Sequence, residues 1–222
     1  MRGHRSLRER GDTRGMNTLR PIAVLVLLLA LALSGCARRS ERPTAQADTT
    51  AVHAAAEPSL FELDFPLTDA SGHAFRLAEL RGRPFVASMV YTHCKSVCPR
   101  ITADLRTLEK ALPEDVRERT RFVLFSLDPG RDTPAELAEF AERHSLDRTR
   151  WTLLASSEDD MRTLAAVLGV RFRPDQDGEI AHSAVAVVCG PDGVVKLRQV
   201  GLQNGVEPLV AAVREAAHES AP

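Results

Sequence analysis

Long hydrophobic runs are missing from this 222-residue chain, and so is any marked excess of charge. Its longest apolar run, Pro21 to Leu33, falls short of the ~20 residues a helix needs to span a bilayer. The 29 Lys and Arg against 30 Asp and Glu leave a formal net charge of −1, which argues against a general nucleic-acid binder. No internal repeat is visible. Cysteine is scarce too, with four in all: Cys36, Cys94, Cys98 and Cys189. One close pair in an exported protein is not the framework of a disulfide-stapled domain, which uses several bridges. The pair Cys94 and Cys98 therefore reads as functional rather than structural.

What is present begins at the N-terminus. Arg2, Arg5, Arg8, Arg10, Arg14 and Arg20 precede the apolar run with few acids among them, the pattern of a secretory signal. The run ends in Leu33-Ser34-Gly35-Cys36, which resembles a bacterial lipoprotein signal, cut before a cysteine that then carries the lipid. Residues 1–35 are thus expected to be a lipoprotein-type signal peptide, with Cys36 lipidated. An uncleaved anchor, or a plain signal cut near Gly35, is the simpler alternative, and Met1 and Met16 are both candidate starts. Residues 36–57 are rich in Ala, Arg, Thr and Ser, with Val52 the one larger aliphatic residue, and read as a flexible tether. Residues 58–222 suffice for one well-buried domain. The expected location is the periplasmic or extracytoplasmic face of a bacterial membrane.

Within that domain the patterns alternate. Phe61, Leu63 and Phe65 alternate with polar residues as in a half-buried strand, and Asp69 to Gly72 turns the chain into a short strand from Ala74 to Leu77. Phe85 to Val90 is nearly all apolar, as a central parallel strand should be. Ile101, Leu105, Leu108 and Leu112 recur at helical spacing after Pro99, which suits a first helical turn. A buried strand from Arg121 to Leu127 follows. Thr133-Pro134-Ala135-Glu136 is a capping box for a helix to about His144. Trp151 to Leu154 reads as a strand, and Ser157 caps a helix that Gly169 ends. Ala184 to Val188 and Val194 to Gln199 flank a Pro191-Asp192-Gly193 turn, and Val206 to Ala217 closes the chain as a helix. This describes an α/β layer fold of the thioredoxin-like kind, a central mixed sheet flanked by helices with an N-terminal hairpin.

Cys94 and Cys98 fall between the strand Phe85–Val90 and the helix after it. A helix N-terminus favours a thiolate there, and Lys95 adds a positive charge that should lower a neighbouring cysteine's pKa further. Thiolates bind soft metal ions and attack disulfides. A spacing of four brings both side chains onto one face of a helical turn. Cys189, at the end of an apolar run, reads as a small buried hydrophobe.

Four motifs in this order carry a resemblance: Thr92-His93-Cys94-x-x-x-Cys98-Pro99, Asp128-Pro129-x-Arg131-Asp132-Thr133-Pro134, His182-Ser183 and Gly190-Pro191-Asp192-Gly193. Over about residues 60–215 the chain resembles the Sco/SenC family of membrane-tethered, thioredoxin-like copper proteins. The resemblance implies one copper ion per domain, Cu(I) or Cu(II), held by Cys94, Cys98 and His182. Two thiolates suit Cu(I), and an imidazole extends the site to Cu(II). His182 is expected at the head of the Ala184 strand, in a loop facing the cysteine turn. Asp128 is a candidate for the surroundings of the metal, by the family's placement of that acid. His93 is a candidate auxiliary ligand or an exposed residue that tunes the thiol. Arg131, Asp132 and Thr133 read as loop and cap structure, and His53 and His73 as surface residues. The chain departs from the family in carrying Lys95-Ser96 where Pro-Asp is frequent, and Ala181 where Asp often precedes the histidine.

The implied function is copper delivery to the binuclear centre of cytochrome c oxidase. The partners would be its copper-bearing subunit and a copper donor or thiol reductant, with the membrane reached through the lipid and no nucleic acid. A thiol–disulfide oxidoreductase is the alternative, with Cys94 and Cys98 as a catalytic redox pair. Ordinary reductases of this fold space their cysteines by two residues after an aromatic one, whereas here three residues intervene after His93. The local motif of a peroxidase is missing. A non-enzymatic redox sensor and a zinc site remain as further readings.

Overall fold

The computed structural model describes residues 58–95, 97–201 and 205–219. The expected signal, Cys36, the tether, His53 and Ser96 lie outside the described residues. No helix among the described residues is long and apolar enough to cross a membrane.

The centre of the domain is β3 (Phe85–Val90), whose six residues are all buried. It is covered on both faces and paired on both edges, and its one polar residue, Ser88, donates its hydroxyl to the Val185 carbonyl at 2.7 Å. β4 (Arg121–Ser126) runs parallel to it and β8 (Val185–Cys189) antiparallel. Each fully buried Val, Met or Phe there stabilises the fold by about 1.5–3 kcal/mol. β5 (Trp151–Ala155) extends the sheet in parallel beyond β4. β1 (Leu67–Asp69), β2 (Ala74–Phe75) and β9 (Val195–Val200) complete a seven-stranded mixed sheet in the order β2-β1-β5-β4-β3-β8-β9. A separate two-stranded sheet pairs β6 (Phe172–Pro174) with β7 (Ile180–His182).

Among the described residues, five α-helices flank the sheet. α1 (Val97–Ala111), α2 (Glu114–Arg119) and α5 (Glu207–Glu219) pack together, α5 also lying on β8 and β9. α3 (Pro134–Arg143) meets β1 and β5, and α4 (Glu158–Leu168) meets β3. The N-cap signals hold, although the capping box at Thr133 is only half formed, since the Thr133 N–H donates to Arg131 O rather than to Glu136. Thr133 Oγ1 accepts from Glu136 N–H at 3.3 Å, Ser157 Oγ accepts from Asp160 N–H at 3.2 Å, and Gly169 ends α4 at φ +74°. The hairpin of β8 and β9 lies where its turn motif put it.

The N-terminal hairpin is present, but its first strand differs from expectation. It is β1 with β2, in the register Leu67 opposite Phe75. Asp69 Oδ1 accepts from the N–H groups of Ser71 and His73 and so shapes the turn. Phe61 belongs instead to a 3₁₀ turn, Leu60–Glu62, capped by Ser59 Oγ. Consecutive Leu60 and Phe61 are both buried, so a tight turn hides them better than a strand, which would hide only alternate residues. Leu60 N–H donates to Gly193 O at 2.9 Å, and Ser59 bridges to Val194. Gly193 is required there. Its φ is +80°, and a Cβ would come within 2.5 Å of Ser59 Oγ. α2, β6 and β7 had no sequence expectation.

Candidate metal centre

β3 ends at Val90, and the chain turns through Tyr91 to Lys95 before α1 begins at Val97. This is the carboxyl end of the parallel strands, where open α/β sheets place their ligands. Cys98 is the second residue of α1 and is fully buried, and Cys94 is 8% exposed. Cys98 N–H donates to Cys94 Sγ at 3.3 Å, and Tyr91 N–H donates to Cys98 Sγ at 3.4 Å. The helix start thus aims a donor at Cys94, as the spacing predicts.

The expectation of an acidic thiol fails at Cys98. Burial pushes its pKa well above the ordinary range, and the backbone bond from Tyr91 offsets this only in part. Lys95 is exposed, and the desolvation of Cys98 outweighs any help from it. Cys189 is fully buried in β8, its thiol pushed up to about 12 by burial, which agrees with a packing role.

His182 is not in the loop before β8. It ends β7, in the small second sheet, opposite Phe172. From there its Nε2 lies 3.4 Å from Cys98 Sγ. The donor atoms of Cys94, Cys98 and His182 all fall within 4.8 Å of one another. His182 Nδ1 lies 3.2 Å from the Ser183 carbonyl. An Nδ1–H donating there leaves Nε2 with its lone pair toward the sulfurs, the orientation a metal ligand needs. Burial holds the imidazole below its usual pKa, so it stays neutral near pH 7. Two sulfurs and one imidazole nitrogen, half-enclosed, make a soft donor set suited to copper. A shallow cleft of about 360 Å³, lined by Arg171, Phe172, Arg173, Ala181, His182 and Ser183, opens beside it.

The two acids of the Asp128–Asp132 motif have different surroundings. Asp128 is half-buried, pairs with the Arg131 guanidinium, and lies outside the donor cluster. Asp132 is 1% exposed, so it is more than the loop residue its sequence position implied. Its Oδ1 accepts from Thr92 N–H at 3.0 Å and from Thr92 Oγ1 at 2.6 Å, and its Oδ2 accepts from Ser126 Oγ at 2.6 Å. Burial raises its pKa, against the pull of those donors. Arg143 adds a bond to the Thr92 carbonyl at 3.2 Å. Together they fix the start of the cysteine turn from α3 and the loop before it. His93 is exposed and outside the cluster, with Nδ1 2.9 Å from Thr92 Oγ1. His73 is exposed.

Sequence reasoning also missed Tyr91 and Glu179. Tyr91, the chain's one tyrosine, is 2% exposed, and its hydroxyl donates to Glu179 at 2.8 Å. Its position directly before the cysteine motif was the available signal.

Comparison with known proteins gives one consistent answer. A family model described as SCO1/SenC matches residues 53–218. A Stutzerimonas stutzeri protein whose name proposes copper binding is 29% identical over 185 residues, covering 82% of this chain and 87% of that protein. The crystal structure of a SCO1/SenC family lipoprotein from Bacillus anthracis str. Ames is similar at 26% identity and a TM-score of 0.63, covering 69% of this chain and 92% of that one. BsSco, described as a member of the Sco family of cytochrome c oxidase assembly proteins with a disulfide switch, is similar at 25% identity and a TM-score of 0.61. That match covers 69% of this chain and 91% of BsSco.

Proposed function

Since this chain belongs to the SCO1/SenC family, we propose that it is a copper protein of cytochrome c oxidase assembly that holds one copper ion through Cys94, Cys98 and His182 and delivers it to the oxidase's copper-bearing subunit. The observation that carries this reading is the convergence of those three donors within 4.8 Å, two from the turn and helix start after β3 and one from the separate β6–β7 sheet. The S. stutzeri relative supports copper as the cargo, and BsSco supports oxidase assembly as the setting. The B. anthracis lipoprotein supports anchoring through Cys36, with residues 36–57 as the tether that keeps the domain beside a membrane-bound acceptor.

The chemistry follows from the donors. Copper binding converts thiols to thiolates, so it releases protons, and the raised pKa of Cys98 makes that release costly at neutral pH. His182 is already neutral and needs no proton loss. Transfer proceeds by ligand exchange, with acceptor thiolates replacing the donors one at a time. A disulfide between Cys94 and Cys98 removes both sulfur ligands, so oxidation closes the site.

The test is His182→Ala. Cu(I) affinity should fall at least ~10-fold, the low end for losing even an outer partner of a metal site, and oxidase assembly should fail. Reduction of a model disulfide by the same variant should change little. If copper affinity and oxidase assembly survive the substitution, the delivery reading is wrong. The anchor has its own test: Cys36→Ala should move the protein from the membrane to the soluble fraction or block its processing, and unchanged attachment and gel mobility would exclude lipidation.

Thiol–disulfide exchange is the second reading, favoured by one observation. Cys94 is the more accessible sulfur and receives the helix N–H bond, while Cys98 is enclosed behind it. That is the order of an attacking and a resolving cysteine. Loss of disulfide reduction in Cys94→Ser, with oxidase assembly unaffected, would favour exchange over delivery.

A further inference from the structure

The cysteine turn and the histidine hairpin come from different sheets, and Tyr91 touches both. Its backbone N–H donates to Cys98 Sγ at 3.4 Å. Its hydroxyl donates to Glu179 Oε2 at 2.8 Å and accepts from Ile180 N–H at 3.2 Å. Its ring meets the His182 ring edge-on, with centroids 6.0 Å apart and planes at 70°. Ile180 and His182 are two residues apart on β7 and share a face. Fixing the Ile180 amide therefore fixes the height at which His182 stands over the sulfurs. Glu179 holds the phenol from the same strand end, and a buried ring with two torsions leaves the link little freedom.

We propose that Tyr91, held by Glu179, is the positioning residue that sets His182 against Cys94 and Cys98 and so governs how firmly the site keeps its copper. The proposal rests on the copper reading above. The Tyr91 hydroxyl is already engaged by Glu179 and by Ile180 N–H, so the residue is assigned a positioning role rather than that of a ligand. Phenylalanine at this position would keep the ring and its packing. It would leave Ile180 N–H and the Glu179 carboxylate without their phenol partner, and a buried donor left unpaired costs enough to shift the short β7 strand. The hairpin would relax away from the turn, and copper would lose its imidazole for part of the time.

The experiment compares Tyr91→Phe, Glu179→Ala and Glu179→Gln with the parent chain. Cu(I) release to excess chelator should be ~10-fold faster in Tyr91→Phe, by the usual effect of losing an outer partner of a metal ligand. Glu179→Ala, which removes the phenol's acceptor, should also speed release, and Glu179→Gln, whose amide oxygen can still accept the phenol proton, should recover most of the parental rate. The sulfur-to-Cu(II) absorption band should shift in Tyr91→Phe. In the metal-free protein, Ile180 amide exchange should be ~10-fold faster and the His182 ring signals should move. Phe122→Leu, at the far end of β4, supplies a core variant of lowered thermal midpoint, and it should release copper at the parental rate. Release from Tyr91→Phe at the parental rate, or equally fast release from Phe122→Leu, overturns the proposal. If the parent takes up no copper at all, the delivery reading fails, and the metal-free readouts still decide the positioning role. Parental Ile180 exchange and parental His182 signals in Tyr91→Phe would then overturn it.

Discussion

The cysteine turn and the histidine hairpin supply the same site in opposite ways. The turn grows from the end of β3, a strand buried along its whole length, and both sulfurs are enclosed. Asp132 and Arg143 hold Thr92 at its root. The hairpin consists of two three-residue strands outside the main sheet, with most of its residues between Arg171 and Glu179 exposed. Besides burying Ile180 and packing Phe172 against the core, it is held by a few polar contacts: Tyr91 to Glu179 and Ile180, and Arg131 to the Gly178 carbonyl. The difference teaches that two of the donors are fixed by folding itself, while the third is set by local bonds. A site built this way keeps its sulfurs in place and can vary its nitrogen, which would suit the hold-and-release that the delivery reading proposes.

The largest expected effect breaks the rigid half. Cys98→Ser should abolish measurable Cu(I) uptake, because a hydroxyl is a poor soft-metal ligand, whereas His182→Ala should only weaken it. Titration of both variants against a chelator of known affinity checks the contrast, and equal losses would remove it. A middle-sized effect concerns anchoring. Asp132→Ala leaves the Thr92 and Ser126 donors without their buried acceptor and should cost about 1–3 kcal/mol of stability. Arg131→Ala removes a half-exposed guanidinium from the hairpin side and should cost about 1 kcal/mol or less. Urea unfolding of the two variants checks this, and a larger loss in Arg131→Ala would invert the comparison.

The smallest effect concerns pH, and its sign differs between the halves. Cys98 and Cys189 have thiols raised above their ordinary value near 9, so the unfolded chain loses their protons first. The native state then binds more protons, and stability should fall as pH rises above about 9. His182 is lowered instead, so the unfolded chain gains its proton first, and stability should fall as pH drops through about 6.5. His144 contributes in the same direction. Urea midpoints for the parent and His182→Ala at both extremes check the assignment. The variant should lose part of the acid-side slope and keep the alkaline one, and an unchanged acid slope would release His182 from it.

The rigid half is also the half that sequence patterns make legible. Phe85 to Val90 is long and apolar enough to declare a central strand, and Cys94 and Cys98 declare a turn after it. The helices of Thr133 and Ser157 declare themselves through their caps. β6 and β7 were not legible because three residues are too few for any period to show. His182 was identified through its family resemblance, and its strand could not be. Asp132 misled for a related reason: an Asp in a Pro- and Thr-rich loop looks solvated, and only the fold brings Thr92 and Ser126 to it. Ordinary helix-start reasoning overestimated the acidity of Cys98, because desolvation at full burial outweighs a helix terminus.

The clasp between Ser59 and the Gly193 turn gives the domain a polarity. β8 runs antiparallel to β3, with Cys189 opposite Phe85, so the turn that follows β8 stands at the start of β3. The cysteine turn stands at its finish. Six residues of strand, at about 3.3 Å each, separate the two ends by roughly 20 Å. The backbone therefore joins the domain at one pole and the donor atoms gather at the other. The clasp and the donors are thus separated by the whole length of β3, so a change at Gly193 would reach the sulfurs only through that strand.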